Sequence, residues 1–512
     1  MGTPLTTGND WTFELLEDYY LEIEKIAIEE FDLDFYPNQI EIIHSEQMLD
    51  AYASVGMPIM YPHWSFGQNF LTSQTHYQKG FMGLAYEIVI NSNPCIAYLM
   101  EENSMTMQNL VMAHACIGHN VFFKNNYLFK QWTDADGIID YLVYAKKFIM
   151  DCEDEYGPEE VEAVLDAAHS LMMFGVDKYK RPSKLSASEE KERSKERREW
   201  NRKWQREIWD VTVPHQKNGA SNEEERFPKD SEENILRFIE KNAPRLEDWK
   251  REMVRIVRKI AQYFYPQRQT QVMNEGCASF FHYEIMKRLR EKNLITQGHF
   301  LEFLQSHTGV VYQPSFDHPA YSGINPYALG FAMYQDIKRI CMDPTDEDRE
   351  WFDFAGNGDW LPTIKHAIEG FKDESFIMQF LSPKVIRDFH LFHIVDDDKD
   401  PKIEVAGIHN EQGYKNVREA LSDQYNLGYK TPDLSVYNVD RWGDRSMTIH
   451  HRMVNRMPLQ PDMTIEVLKH ATTLWGYDVS LESRDPDLNE PSAIFSIRDG
   501  ESLLDVFEHD TP

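Results

Sequence analysis

Apolar residues recur every three or four positions through long stretches of residues 1–384, which is the spacing of helices that bury one face. This spacing predicts helices within 10–30, 104–176 and 232–305. Alternating apolar and polar residues predict strands at 39–43, 86–91 and 95–99, and the last two flank the turn sequence Asn91-Ser92-Asn93-Pro94. We therefore expect a mainly helical domain in which a small sheet edge leads directly into the helix that begins near residue 104.

The pattern changes beyond residue 385, where strand and helix segments alternate. We predict strand 389–395, helix 413–425, strands 434–440 and 446–453, helix 462–475 and strand 478–484. This order is βαββαβ, as in a ferredoxin-like sandwich, with one further strand-like segment at 403–406. The predicted fold class is α+β, with a mainly helical main domain at 1–384, an α+β C-terminal domain at 385–490 and a tail at 491–512.

A charge-rich stretch at 183–226 interrupts the helical domain. It combines many Lys, Arg and Glu residues with the polar segment QKNGASN at 216–222. We interpret this stretch as a solvated helical arm followed by a mobile loop.

Composition narrows the class of protein. The 512 residues are 42% hydrophobic and 13% aromatic, which is enough for a large core in two or three domains. A formal net charge of -32 makes nucleic acid an unexpected partner. The chain start lacks a signal-peptide pattern and no run of about 18 apolar residues follows, so we expect no membrane insertion. Five cysteines without a CxxC pair fit a reducing compartment, and we expect a cytoplasmic protein.

Two short segments place polar side chains in strongly apolar helical surroundings, MAHACIGHN at 112–120 and NEGCASFFHY at 274–283. An unpaired polar group there costs about 1–3 kcal/mol unless a partner or a metal satisfies it. His114 and His119 are separated by about 140° on a regular α-helix, so they share a face only if the helix contains a π-bulge or ends near Gly118. Glu275 and His282 lie within about 20° of one face.

Two interpretations of these residues stay open. Two neutral imidazoles and one carboxylate are the minimum ligand set for zinc or another divalent first-row metal, and a catalytic site leaves one position for water. In the second interpretation, the histidines bond to backbone carbonyls and the glutamate braces neighbouring helices. Glu87, His169 and His282 are further candidates for the site, in catalytic, supporting or structural roles.

At these residues the chain resembles the stage V sporulation protein R (SpoVR) family, including its YcgB-like members. The resemblance covers nearly the whole chain and is carried by YPHWSFG at 61–67, YEIVINSNPCIAY at 86–98, HN at 119–120, FFKNN at 122–126, GVDKYKRP at 175–182, NEG at 274–276 and GINPY at 323–327. It implies a role in spore cortex formation or, where no spore is made, in a stress or stationary-phase pathway. It also implies two partners, an AAA-type serine protein kinase and a von Willebrand-type domain protein.

The chain also resembles gluzincin metallopeptidases, in which a helix with two histidine ligands follows an edge strand and a later Glu-Gly-x-Ala helix supplies the third ligand. This resemblance implies a zincin-like main domain with zinc bound by His114, His119 and Glu275. The histidine spacing is five rather than four, and Ala115 stands in the place of the general-base glutamate. Loss of such a base reduces hydrolysis on the order of 10²–10⁴-fold, so Glu87 and His282 are the candidates to assist the water.

These observations favour a metal-dependent hydrolase of peptide or peptidoglycan-related amide bonds. The alternative is a non-enzymatic regulatory or scaffolding protein, whose acidic surface and 183–226 arm recruit the kinase pathway and whose His/Glu cluster is structural. An oxidative di-metal bundle is disfavoured because paired Glu-x-x-His motifs are absent from the sequence. The substrate and the oligomeric state stay open.

Overall fold

A computed structural model describes most of the chain. It covers residues 3–54, 57, 59–64, 87–180, 226–316, 318–319, 321–392, 394–396, 403–405, 410–454, 457–485 and 491–507, with the backbone alone at 52–53, 394–396 and 403–405. The stretch predicted as an arm at 183–226 lies outside these described residues, except for Arg226. Among the described helices, none has the length and apolar character required to cross a bilayer.

Helices dominate the main part of the chain, as the apolar spacing predicted. They are α1 (Phe13–Glu29), α2 (Ser45–Ala53), α3 (Met105–Val111), α4 (Asn120–Asn125), α5 (Tyr127–Trp132), α6 (Ile138–Tyr156), α7 (Pro158–Ser170), α8 (Ile235–Asn242), α9 (Asp248–Gln269), α10 (Gln271–Glu291), α11 (Gln297–Val310), α12 (Pro326–Met342), α13 (Asp346–Trp351), α14 (Trp360–Gly370), α15 (Asp373–Phe380), α16 (Pro383–Asp388), α17 (Glu411–Tyr425), α18 (Leu427–Lys430) and α19 (Pro461–Trp475). A π-helix (Met112–His119) joins α3 to α4, and a 3-10 turn (Met172–Phe174) follows α7. Side-chain caps such as Thr12 and Ser104 accept a hydrogen bond from the first turn and define where helices begin.

The strands form three sheets. They are β1 (Asn38–Ile43), β2 (Glu87–Ile90), β3 (Cys95–Met100), β4 (Ile394–Asp396), β5 (Ile403–Val405), β6 (Asp433–Val439), β7 (Met447–Arg452), β8 (Val479–Arg484), β9 (Ala493–Arg498) and β10 (Glu501–Val506). The first sheet has the order β1-β3-β2, with β1 parallel and β2 antiparallel to β3. The small sheet predicted before the α3 helix is thus confirmed, and β2 lies at its edge.

The C-terminal sheet has a different order from the predicted ferredoxin-like βαββαβ arrangement. Its five strands run β10-β9-β8-β7-β6, and α19 connects the parallel neighbours β7 and β8. The segment predicted as the first strand contributes β4, which pairs with β5 in a separate two-stranded sheet. Residues predicted as a tail from 491 supply β9 and β10, because Phe495 and Ile497 alternate along β9 and bury their side chains.

Two large hydrophobic cores hold most of the described residues together, and a third, small cluster lies between α2, β2 and β3. The first core joins α1, α3, the π-helix, α10, α12 and α15, and it also includes Tyr414, Val417 and Leu421 of α17. The second core joins α6 to α9 with α19 and the five-stranded sheet, where the rings of Phe238 and Trp475 stack 5.8 Å apart. The packing therefore does not divide at the predicted boundary between residues 384 and 385.

A buried carboxylate ties α8 to α9 within the second core. The side chain of Glu240 is fully buried, with Oε1 3.0 Å from Nε of Arg255 and Oε2 2.9 Å from Nε of Arg258. Burial alone raises the pKa of Glu240, but Lys241, Arg255 and Arg258 outweigh it and lower the pKa to about 2. The ionised form is therefore the one that stabilises the fold.

Replacing Glu240 with Gln should destabilise the protein by about 3 kcal/mol near pH 7, because two arginines lose a buried partner. The folded-state pKa lies below the ordinary 4.5, so this stabilisation is present above pH 4.5 and is lost as the pH falls toward 2. Urea unfolding of wild type and Glu240→Gln at about pH 7 and about pH 3 measures the effect, and the gap should shrink at the lower pH. Glu411→Gln, in an exposed pair with Lys415, is the control and should change nothing measurable. Equal stability of Glu240→Gln and wild type near pH 7 would contradict this expectation.

Candidate metal centre

The histidine-bearing segment is a π-helix along its whole length, Met112–His119. Its hydrogen bonds run from residue i to i+5, so residues five apart lie on one face. The rings of His114 and His119 accordingly lie 4.7 Å apart at nearly a right angle. A π-bulge was one of the two arrangements that, from the sequence, would place these histidines on one face, and the structure has this π-helical arrangement.

Small residues bring this π-helix into backbone contact with α10. A Cβ atom on Gly118 would lie 2.4 Å from Cα of Ala278, far inside van der Waals contact. Gly276 and Gly330 make the same kind of contact between α10 and α12, since a Cβ on Gly276 would lie 2.5 Å from Cα of Gly330. The elements that carry the two histidines, Glu275 and Tyr327 therefore meet at close range.

The first turn of α10 is held by a side chain from another helix. The buried carboxylate of Asp373 accepts hydrogen bonds from the backbone N–H groups of Val272 and Met273, at 3.0 and 2.9 Å. Burial raises the pKa of Asp373 to about 7, although these hydrogen bonds oppose the shift. This cap fixes the turn from which Asn274 and Glu275 project.

Two carboxylates converge on the Nε2 atoms of the two histidines. Oε1 of Glu87, on the edge strand β2, lies 3.3 Å from Nε2 of His114. Oε2 of Glu275 lies 3.5 Å from Nε2 of His119 and 3.8 Å from Nε2 of His114. Ligand atoms of Glu87, His114 and His119 lie within 4.8 Å of one another. The structure therefore brings together all three residues predicted as metal ligands, with Glu87 beside them.

The chemistry of this donor set fits a divalent metal. Burial lowers the pKa of His114 to about 4, so its imidazole is neutral and can act as a ligand. Burial raises the pKa of Glu275, but the nearby imidazoles of His119 and His114 outweigh it and keep the carboxylate in its charged form. Its Oε2 atom is buried without a hydrogen-bond partner among the described residues. Two imidazole nitrogens and an unpaired carboxylate oxygen form a donor set that suits zinc.

Hydrogen bonds from behind fix the orientation of both imidazoles. Nδ1 of His119 donates to Oδ1 of Asn274 at 2.9 Å, and its Nε2 is directed at Glu275. Nδ1 of His114 lies 2.8 Å from Nδ1 of His282, and Nε2 of His282 lies 2.7 Å from Nδ1 of His307. His282 therefore contacts the side of His114 that faces away from the carboxylates.

Three residues in the cluster were absent from the sequence-based site. Asn274 and Tyr327 lie in the NEG and GINPY segments, and those motifs were the available signal. Tyr327 hydrogen-bonds to Glu275 and stacks on His114 at a ring distance of 6.3 Å. His307 is one of two histidines in an ordinary helix, and no sequence pattern distinguishes it.

His169, a further candidate from the sequence, belongs to a different cluster. Its Nε2 lies 2.5 Å from the hydroxyl of Tyr61, and its ring packs 4.5 Å from that of His63. His63 in turn contacts the carboxylate of Asp166. Among the described residues that line the cavity in front of His119, His169 is not found. Helix α7, which carries His169, therefore contributes no ligand to the His114 cluster from this position.

A cavity of about 490 Å³ opens in front of the cluster. The described residues that line it are Met57, Glu87, Ile88, Val89, His119, Phe123, Tyr263, Phe264, Gln267, Arg268, Gln271, Asn274, Glu275 and Tyr327. Seven of these residues are apolar or aromatic and seven have polar or charged side chains, so the walls are mixed. The size of the cavity is typical of a site for a small molecule or a short peptide segment.

Comparison with known proteins gives matches along the chain. The model of the family described as "SpoVR like protein" matches residues 10–430, and the model of the "SpoVR-like C-terminal domain" matches residues 432–486. A relative in Escherichia coli (strain K12), named "Uncharacterized protein YcgB", is 56% identical over 485 residues, which is 95% of each chain. No solved structure matches.

Replacing Gly118 with Ala should destabilise the protein by about 1–3 kcal/mol or more, because the added methyl group overlaps the backbone of Ala278. Gly309→Ala in α11 is the matched control, since a Cβ there meets open space and an Ala in a helix is favoured by about 0.5–1 kcal/mol. Urea unfolding followed by circular dichroism measures both variants. Wild-type stability in Gly118→Ala would refute the backbone contact.

Glu275→Gln and His114→Ala should both lose metal while the fold survives, because each removes a ligand atom from the cluster. Metal content after zinc loading and desalting, measured by inductively coupled plasma mass spectrometry, should be near one zinc per chain in wild type and strongly reduced in both variants. Glu291→Gln, at the exposed end of the same helix, is the control and should retain zinc. Full zinc content in Glu275→Gln would remove Glu275 from the ligand set.

Proposed function

We propose that this chain, which belongs to the SpoVR family as the sequence motifs predicted, is a metal-dependent hydrolase of peptide or peptidoglycan-related amide bonds. The observation that carries the proposal is the convergence of Glu87, His114, His119 and Glu275 beside a cavity of about 490 Å³, which Glu87, His119 and Glu275 help to line. We assign the activity to a sporulation or stress and stationary-phase pathway. A cytoplasmic location is supported by the five cysteines, which are all free and buried.

The proposed metal ligands are Nε2 of His114, Nε2 of His119 and Oε2 of Glu275. A divalent ion bound there, with zinc the best match, would supply a Lewis acid for water activation and carbonyl polarisation. The zincin-like feature of the proposal is the placement of the ligands. Two ligands lie on a helix beside an edge strand, and the third lies on a later helix. Asn274 and His282 hold the two imidazoles in the tautomers that this role requires.

Glu87 takes the general-base role for which Ala115 has no side-chain group. Burial and the neighbouring Glu275 raise the pKa of Glu87 well above its ordinary value, and a divalent ion bound beside it would oppose this shift and favour the proton-accepting carboxylate. Its carboxylate lines the cavity and lies beside His114, so a water molecule between it and a bound amide is within reach of Oε1. The water oxygen bonds to the carbonyl carbon while Glu87 accepts one of its protons. The carbon–nitrogen bond then breaks, and Glu87 passes that proton to the departing amine.

Tyr327 and His282 have distinct roles in this proposal. Tyr327 lines the cavity next to Glu275, to which its hydroxyl donates in this structure. A metal ion bound by Glu275 would release that hydroxyl to donate to the substrate carbonyl oxygen as negative charge develops on it. His282 contacts His114 from behind and does not line the cavity among the described residues. It is therefore a positioning residue, and the water-assisting role falls to Glu87.

A second candidate function is a non-enzymatic regulatory or scaffolding role with the serine protein kinase and the von Willebrand-type domain protein. The observation that favours it is β10, the last strand of its sheet, in which every residue is exposed, including Leu503, Leu504 and Val506. An exposed apolar edge strand is a surface to which a partner can add a strand. In this alternative the His/Glu cluster only stabilises the fold.

The zinc-loaded protein should cleave amides in a mixed peptide library in water enriched in oxygen-18, and the new carboxyl termini should carry the heavy isotope. Mass spectrometry identifies these termini. Glu275→Gln should give no labelled termini. Tyr327→Phe should slow the formation of labelled termini about 10²-fold at unchanged metal content, because one hydrogen-bond donor to the developing charge is lost. Glu291→Gln serves as the active control. A fully metallated wild type that produces no labelled termini from peptides or peptidoglycan fragments would contradict the hydrolase and favour the scaffolding role.

A further inference from the structure

The cavity in front of the metal cluster contains one basic side chain among its described lining residues. That residue is Arg268, in the last turn of α9, and Gln267 and Gln271 lie on either side of it along the chain. The acidic residues among the described lining are Glu87 and Glu275. The cavity thus has acidic groups where the metal ligands lie and a guanidinium at another part of its wall.

Arg268 differs from the arginines that stabilise the fold. Arg255 and Arg258 pair with Glu240, and Arg339 pairs with Asp348. Within the described part of the chain, Arg268 has neither an ion pair nor a hydrogen bond, and its side chain is exposed. An exposed guanidinium at the wall of a cavity, in a chain with a net charge of -32, is available for an anionic ligand.

The size of the shared cavity limits the size of that ligand. Arg268 near the end of α9 and Glu275 in α10 lie on helices that meet at Thr270, and both residues line the cavity of about 490 Å³. One or two residues of an extended peptide, at about 3.3–3.6 Å each, fit within a cavity of this volume.

We propose that Arg268 binds a carboxylate of the substrate, so that the enzyme acts on an amide bond one or two residues away from a free carboxylate. Arginine presents a planar fork of donors that matches a carboxylate in two parallel hydrogen bonds. The side-chain amides of Gln267 and Gln271 are placed to bond the intervening peptide group, and Tyr263 and Phe264 provide apolar wall. This inference rests on the proposed hydrolase function and names its substrate class as short acidic peptides or related amides.

The test uses a series of simple dicarboxylates, from succinate to pimelate, each compared with its own monoamide. One carboxylate can bind at the metal cluster and the other at Arg268, so affinity should peak at one chain length. Isothermal titration calorimetry on the zinc-loaded full-length protein measures the affinities. We expect the best diacid to bind at least about tenfold more tightly than its monoamide in wild type, which is the size of a charge-assisted hydrogen-bonded pair.

The variants separate this inference from the hydrolase proposal. In Arg268→Ala the preference for the diacid should fall to within about twofold, and Arg268→Lys should retain part of the preference. The control variant Arg452→Ala, on the distant sheet, should match wild type. Zinc content is measured in every sample. Bound zinc with no preference for the diacid in wild type, or an equal preference in Arg268→Ala, overturns the role of Arg268 and leaves the metal site intact. A wild type that retains no zinc overturns the hydrolase proposal and this inference together.

Discussion

Backbone contact between the π-helix and α10 is the constraint on which the candidate site depends. Gly118 lies against Ala278 and Gly276 lies against Gly330, so three segments approach more closely than side chains ordinarily permit. The π-helical hydrogen bonding turns His114 and His119 onto the same face, and the close approach brings Glu275 to within 3.8 Å of both imidazoles. A regular α-helix at 112–119, or an ordinary interhelical distance, would leave these three groups apart.

Burial makes this cluster energetically demanding. His114, His282 and His307 are all nearly inaccessible to solvent, and burial lowers the pKa of each below the ordinary value for histidine. Neutral imidazoles in a chain of hydrogen bonds satisfy one another, but Oε2 of Glu275 has no hydrogen-bond partner in the described structure. A buried carboxylate oxygen without a hydrogen-bond partner lowers the free energy of unfolding by about 1 kcal/mol or more, as other unsatisfied buried polar groups do. A bound cation would remove that cost.

Much of the architecture could be predicted from local patterns, and the remainder depended on contacts that local patterns do not contain. Apolar spacing indicated the helices, and strand alternation indicated β1, β2 and β3. The C-terminal sheet was predicted in part, because β9 and β10 follow a polar segment and their apolar residues were assigned to a tail. In the site, the sequence singled out His114, His119 and Glu275. It did not decide whether a π-helical segment or a helix end near Gly118 would place the two histidines on one face. His307 reaches the site only through tertiary packing, and no motif marks His307 or Arg268.

X-ray absorption spectroscopy at the zinc edge of the reconstituted protein tests the central claim most directly, because it reports the atoms bound to the metal without assuming an activity. The structure leads us to expect two imidazole ligands and carboxylate or water oxygens at about 2.0–2.2 Å. His119→Ala, which lacks one of these imidazoles, should retain too little zinc to give this spectrum. A spectrum with sulfur at about 2.3 Å, or one without any imidazole contribution, would contradict the assignment of the metal to His114, His119 and Glu275.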